Sequence, residues 1–388
     1  MILTLAFRNL FHDRIRLAVT LIGILFSIVL VAVQLGLYLG ASRMITTMID
    51  RSNSQLWIAA FGAKSFEEGG MLLTQGQRHQ ALATPGVKAV IPLVVAFAEW
   101  RKPEGGSTRV VLVGTDAEYG GLEPYNLVNG TYEDIKGPDG VTADVTYLSW
   151  LGIEGDGMGA TAQIANGRVR VRALTKGLRS FTQSPYTFTT LNRARNLLGV
   201  DGDKSSFYLV QLQPGADVEA VRQTLSSTIE GTEVFTKDEF HTKSLKQWLF
   251  RTGAGVALIG GAILGILVGT VIVAQTLYSS TKDHLHEFAT LRALGSSSGY
   301  IHKVILAQAA MSAIVGYILG MTIAMGILYL SRSTPLPLVM TPGLAATLFG
   351  VTLGMCAISA LSAIMKVMKI DPATVRSEER RVGKECCR

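Results

Sequence analysis

Cysteine is nearly missing from this chain of 388 residues, with three in all, at Cys356, Cys386 and Cys387. None falls between residues 43 and 250, so no disulfide framework holds that more polar region together. Charge is scarce too, at 17% of residues, and four stretches carry no Asp, Glu, Lys or Arg: residues 17–39, 256–277, 304–330 and 344–365. Each reaches or exceeds the roughly 20 helical residues that cross a hydrocarbon core of about 30 Å. With a mean hydropathy of +0.33, this excludes an ordinary soluble protein. The first stretch follows Arg14 and Arg16 as a signal peptide would. Its apolar part is longer than the about 7 to 15 residues usual there, so it reads as an uncleaved span.

The constellations of an enzyme are also missing. Residues 199–205, GVDGDKS, imitate a phosphate loop, but Asp203 stands where a glycine must precede Lys204, and the segment reads as a surface turn. His284, His286 and Glu287 resemble a metal cluster only superficially, because side chains at i and i+2 diverge on a helix and no further ligands gather nearby. They read as solvated polar residues, as do His12 and Asp13. No nucleophile is paired with a base, and Cys356 inside an apolar run reads as a small packing residue. The expectation is a non-enzyme with no catalytic, cofactor-binding or metal site and no cofactor.

Basic residues in the short flanks set the orientation, since Lys and Arg are retained in the cytoplasm. Arg8, Arg14 and Arg16 precede the first span; Lys282, Arg292 and Lys303 lie between the second and third; Lys366, Lys369 and Arg376 follow the fourth. Residues 331–343 hold only Arg332. Both termini and residues 279–303 are therefore placed in the cytoplasm, and residues 43–250 outside. Lys243, Lys246 and Arg251 point the other way, but they close a long domain, and long domains translocate largely regardless of charge. The net charge of +7 is assigned to topology and anionic membrane lipid, with no nucleic-acid partner.

The expected architecture is an α-helical membrane protein, four transmembrane helices with a large extracytoplasmic α+β domain between helices 1 and 2. Its parts are a cytoplasmic amphipathic helix at 1–16, with Leu3, Phe7, Leu10 and Phe11 on one face, transmembrane helix 1 at 17–42, the outer domain at 43–250 and transmembrane helix 2 at 251–278. A cytoplasmic loop at 279–303, helix 3 at 304–330, a short outer loop at 331–343, helix 4 at 344–366 and a tail at 367–388 follow. Helix continues from span one through Asp50. Strands are expected at 54–62, 87–100, 108–113, 207–212 and 233–235, and helices at 76–82 and 218–229. Two strand–helix–strand units at the domain's two ends imply that those ends pack together, around a mostly β insert at 116–204.

Small residues recur at four-residue spacing in three spans: Gly261, Gly265 and Gly269; Gly316 and Gly320; Gly350 and Gly354. Such faces let helices approach closely in lipid and favour a tight bundle or a dimer. Gln34, Gln275 and Gln308 are expected to hydrogen-bond between helices rather than touch substrate. In the cytoplasmic loop, Phe288, Leu291, Ala293 and Leu294 recur at helical spacing with Glu287 and Arg292 among them, and Gly295 ends the pattern. Taken alone it reads as an interfacial loop; the sharper reading is a docking helix for a soluble partner.

Residues 287–301, EFATLRALGSSSGYI, resemble the coupling loop of the MacB, LolC and FtsX superfamily of ABC transporter permeases. The basic N-terminal segment LAFRNLFHDRIR, residues 369–376, KIDPATVR, and the four-span layout resemble that superfamily as well. Residues 179–196, RSFTQSPYTFTTLNRARN, look most like DevC-type permeases of cyanobacterial exporters. The resemblance implies a homodimeric permease of the bacterial inner membrane without an ATPase of its own, paired with a cytoplasmic ABC ATPase subunit. It implies transmission of ATP-driven closure to the outer domain, a periplasmic membrane-fusion adaptor, an outer-membrane channel, and export of glycolipid or similar cargo. Glu287, Phe288, Leu291, Arg292, Leu294 and Gly295 would form the ATPase contact. An FtsX-like regulator of periplasmic enzymes and a lipoprotein-releasing permease share the layout. Residues 377–388, SEERRVGKECCR, have no counterpart in the pattern and read as non-native.

Overall fold

A computed structural model of the chain describes residues 6–8, 13–165, 167–283, 298–331 and 338–368. The coupling-loop residues Glu287 to Gly295, the segment 369–376 and the tail 377–388 lie outside the described residues. The chain forms two compact units, Gly40–Val256 and the pair of segments Met1–Leu39 and Ala257–Arg388.

Helix α1 (Arg14–Asp50) is 37 residues long, about 55 Å at 1.5 Å per residue. Asp13 caps its start, accepting the Arg16 backbone N–H at 3.1 Å while its carboxylate stays partly exposed. The outer domain then runs β1 (Leu56–Ala60), α2 (Gln75–Leu82), β2 (Val87–Arg101), β3 (Ser107–Thr115), β4 (Leu127–Asn129), β5 (Gly140–Asp144), β6 (Thr161–Ile164), β7 (Gly167–Thr175) and β8 (Tyr186–Thr190). It continues with α3 (Leu191–Leu198), β9 (Phe207–Leu212), α4 (Val218–Thr228), β10 (Thr232–Thr236) and α5 (Lys237–Leu245). A single π-helical turn, Lys246–Arg251, precedes α6 (Ala254–Asp283), α7 (Ser298–Ser331) and α8 (Pro342–Met368).

The two ends of the outer domain share one sheet. β1 lies between β10 and β9, antiparallel to both, and β9 pairs in turn with the first half of β2. All five residues of β1 are buried, and their alternation serves two cores. Leu56 and Ile58 face Ala81 of α2 with Val221 and Leu225 of α4. Trp57 and Ala59 face Phe66, Phe207 and Phe240, together with Met48 and Ile49 from the last turns of α1. β2 changes partner midway, pairing β9 up to Leu93 and β3 from Val94. The Ser206 hydroxyl closes that exchange, accepting from Val95 N–H at 2.9 Å and donating to Val95 C=O at 3.0 Å, so neither buried backbone group is orphaned.

The insert carries β4 to β8 and one α-helix besides. It contains α3, which lies so close to β3 that a Cβ on Gly114 would stand 2.2 Å from that of Ala194. Its core gathers Trp100, Val110, Leu112, Val171, Leu191 and Leu197, with the Trp100 indole donating to Leu151 C=O at 3.0 Å. Helix α5 also goes beyond the sequence reading. Thr236 and Glu239 form its capping box, the reciprocal arrangement that satisfies two otherwise unpaired backbone donors.

In the helical unit, the first part of α1 is received by glycines on two other helices. Added Cβ atoms at Gly261, Gly265 and Gly269 of α6 would stand 2.7 Å from Gln34, 3.1 Å from Val31 and 2.5 Å from Ser27; at Gly316 and Gly320 of α7 they would stand 2.5 Å from Ile24 and 3.0 Å from Ile28. Gly350 and Gly354 of α8 have nothing within 4 Å of such a position among the described residues. Among the described residues, hydroxyls make polar links between these helices, and Gln308 is buried within them. Ser27 donates to Gly265 C=O, Ser359 to Thr270 C=O and Tyr317 to Ala345 C=O, each at 2.8 Å. A hydroxyl reaches a carbonyl over a short span where backbones are close. Gln34 instead lies against Gly261, and Gln275 is exposed.

Candidate functional site

The end of α1 is joined to α5 by both buried and polar contacts. Burial comes first: Met48 and Ile49 are 1% and 0% exposed, packed with a ring cluster in which Trp57 lies 5.1 Å from Phe240 and 5.8 Å from Phe207, centroid to centroid. Polar contacts then fix the helix end. His241 on α5 meets Asp50 at 2.8 Å, and Thr46 donates to the other Asp50 oxygen at 2.9 Å. Lys237 donates to Ser52 C=O at 2.9 Å, placing a cation beside the negative end of the α1 dipole. Arg51 stacks over the Tyr125 ring at 4.0 Å, and burial pushes the Tyr125 phenol up to about 12.

A second set of contacts holds the π-turn. Trp248 donates its indole N–H to Ser65 Oγ at 3.1 Å and Gln247 donates to Glu68 at 3.2 Å; the Phe181 ring lies 5.7 Å from that of Trp248. Between Ser65 and Glu68 sits Glu67, 7% exposed, accepting from Tyr186 Oη at 2.5 Å and Ser180 Oγ at 2.7 Å. Burial raises the Glu67 pKa above its ordinary value, outweighing the two hydrogen bonds. The same burial, with the adjacent carboxyl, holds Tyr186 well above the usual phenol range, so it remains a donor. After the π-turn, Gly253 takes φ +80°, a conformation open to glycine and strained for other residues.

At the other end of the helical unit, Arg16 of α1 pairs with Asp283 at 2.5 Å and with Asp13 at 3.4 Å. Asp283 closes α6 within the loop 279–303, four residues ahead of Glu287. Of the residues singled out from sequence, the structure gathers the α6 and α7 glycines around α1 and leaves those of α8 open among the described residues. Asp50, His241, Glu67 and Trp248 went unread. Their partners lie far along the chain, 191 residues apart for Asp50 and His241, and the only local signal was the Thr236–Glu239 capping pattern.

Comparison with known proteins gives this arrangement a family. The family model of the MacB-like periplasmic core domain matches residues 17–228, and that of the FtsX-like permease C-terminal matches residues 259–372. The chain belongs to the MacB/FtsX superfamily of ABC transporter permeases. Among its relatives is the macrolide export ATP-binding/permease protein MacB of Rhodospirillum rubrum, 21% identical over 88% of this chain. The chain spans 54% of that protein's length. An uncharacterized ABC transporter permease of Mycobacterium tuberculosis is 24% identical over 95% of this chain and 97% of its own. The solved periplasmic region of MacB from Actinobacillus actinomycetemcomitans aligns with 50% of this chain and 94% of its own at 14% identity and a TM-score of 0.37. The chain is thus a multi-pass membrane permease of the MacB/FtsX type, with a MacB-like α+β domain between its first two spans.

Proposed function

We propose that this permease is the transmission subunit of an ABC exporter, coupling a separate cytoplasmic ATPase to its outer domain. ATP-driven closure acts on the loop 279–303 through Glu287, Phe288, Leu291, Arg292, Leu294 and Gly295. The motion passes along α1 and reaches a periplasmic adaptor and outer-membrane channel, moving glycolipid or similar cargo that does not travel between the spans. Two copies form the working unit, with both termini in the cytoplasm. One observation carries the reading: α1 is a single helix that is seated on the glycines of α6 and α7 in the helical unit and supplies Met48 and Ile49 to the core of the outer domain. The Arg16–Asp283 pair adds support, because it ties the start of α1 to a residue at the end of α6 within the loop 279–303.

The decisive test is Leu291→Asp. Burying one Leu at an interface is worth roughly 1.5 to 3 kcal/mol, so the substitution is expected to weaken ATPase binding by at least about tenfold while leaving membrane insertion intact. Co-purification with the cognate ATPase and its stimulation by the permease in nanodiscs provide the measurement. Full binding and full stimulation by Leu291→Asp would remove the docking role.

A further inference from the structure

A cleft of about 350 Å³ opens in the outer domain beside α2, β2 and α3. Two arginines are among the residues that line it, Arg78 from α2 and Arg195 from α3. Arg78 Nε donates to Val90 C=O at 3.0 Å. Arg195 donates through Nε to Lys204 C=O at 2.9 Å and through Nη2 to Ser205 Oγ at 3.0 Å. Both side chains are therefore held by neutral acceptors, and among the described residues neither has a carboxylate within the 4.0 Å of an ion pair. An arginine cannot shed its proton, so both positive charges persist in one cleft, with the Asp116 and Asp203 carboxylates acting electrostatically on Arg195 from beyond ion-pair distance.

Most of their donors remain uncommitted. Each guanidinium carries five N–H groups in a rigid fork, and a single fork already satisfies a carboxylate. Two arginine side chains lining one cleft suit the larger number of oxygens on a phosphate. Asp116 and Asp203 also line the cleft, with Tyr119 at its exposed rim. These acids accept hydroxyl or ammonium donors from the remainder of a ligand. The turn 199–205, phosphate-loop-like in sequence, takes part differently from that motif: its Lys204 is tied to Asp201 at 2.8 Å, while Gly202 and Asp203 form the cleft wall.

We propose that this cleft binds a small phosphate-bearing molecule with hydroxyl or amino substituents, its phosphate held between Arg78 and Arg195. The proposal is independent of the exporter reading. A soluble phosphomonoester and the headgroup of a phospholipid share this chemistry, and the volume is at the lower end of ligand pockets, which run from about 300 Å³.

The test is calorimetric titration of the purified full-length chain, in a phosphate-free maltoside detergent, with glycerol 3-phosphate. Saturable binding is expected, weakened by about tenfold or more in Arg78→Gln and in Arg195→Gln, since each loses charge-assisted hydrogen bonds. Arg195→Gln also loosens the turn at Lys204, so Arg78→Lys, which keeps the charge and loses the fork, is the second variant and should bind at an intermediate level. Arg222→Gln on α4 should bind as the parent does. Competition by phosphatidylglycerol in mixed micelles would assign the site to a lipid headgroup, and its failure to compete to a soluble ligand; either supports the shared chemistry. The proposal falls if neither probe binds saturably, if Arg78→Gln binds unchanged, or if succinate binds as tightly as glycerol 3-phosphate.

Discussion

Helix α1 passes from the helical unit at Leu39 to Asp50 without a break, whereas the returning chain goes through the π-turn and Gly253 before α6 begins. The two crossings are fastened differently as well. The first ends in the aromatic core, with Met48 and Ile49 buried among Trp57, Phe207 and Phe240. The second is held by indole and amide hydrogen bonds from Trp248 and Gln247, and then emerges through Phe250, which is 48% exposed. A continuous hydrogen-bonded helix carries displacement along its axis. A π-turn followed by a left-handed glycine lets the chain change direction at little cost. The first crossing is a continuous helix anchored in a core, and the second is an interrupted one held by polar contacts.

The sharpest way to break this comparison is to insert two glycines into each crossing. Between Leu39 and Gly40, each added glycine costs about 1 kcal/mol in a helix interior, and two residues turn the helix face by roughly 200°. Transport is expected to fall by at least about tenfold there, since about 2 kcal/mol favours a broken helix by more than that factor, while ATPase binding persists. The same insertion between Gly253 and Ala254 extends an existing break, and transport should stay within about threefold because no intact helix is lost. Cargo efflux with the ATPase and adaptor present is the measurement. Equal losses from both insertions would abolish the distinction.

The second test compares how firmly each crossing is anchored. Ile49→Ala removes buried methyl groups from the aromatic core and is expected to destabilise the outer domain by about 2 to 5 kcal/mol. Phe250→Ala, at a half-exposed ring, should cost under about 1 kcal/mol. Urea unfolding of the full chain in detergent, followed by tryptophan fluorescence, reads both. A larger loss from Phe250→Ala would reverse the assignment of anchor and hinge.

The difference between the crossings was only partly legible in the chain. Helix through Asp50 could be read because the pattern runs on without a breaker, and β9 because Phe207 to Leu212 is an apolar run ahead of Pro214 and Gly215. The glycine spacing on α6 and α7 announced close approach but could not name α1 as the helix that approaches, since spacing describes one surface and not its partner. Helix α3 escaped notice because its eight residues, LNRARNLL, bury only Leu191, Ala194 and Leu197, too short a run for helical period to stand out. The π-turn is set by where Trp248 and Gln247 find acceptors, at Ser65 and Glu68, 183 and 179 residues away. No local propensity encodes a contact at that separation.

The smallest expected effect is a difference in pH response between the crossings. Asp50, at the first, is half exposed and paired with His241 at the surface. Glu67, on the loop that receives the π-turn, is buried, and its pKa is raised above 4.5 chiefly by desolvation. From 4.5 up to that raised value, the folded chain holds this proton more tightly than the unfolded chain does. Stability contributed at Glu67 is therefore present at low pH, falls as pH rises through that window, and is level above it. Each tenfold difference in proton affinity is worth about 1.4 kcal/mol. Glu67→Gln keeps the shape and the contacts, because the Tyr186 and Ser180 hydroxyls accept as well as donate, but it cannot titrate. The variant should match the parent below pH 4.5 and exceed it in stability above the window, most visibly as slower hydrogen exchange in the π-turn. Parallel pH profiles for parent and variant would mean that Glu67 is charged without penalty and that the second crossing carries no pH dependence of its own.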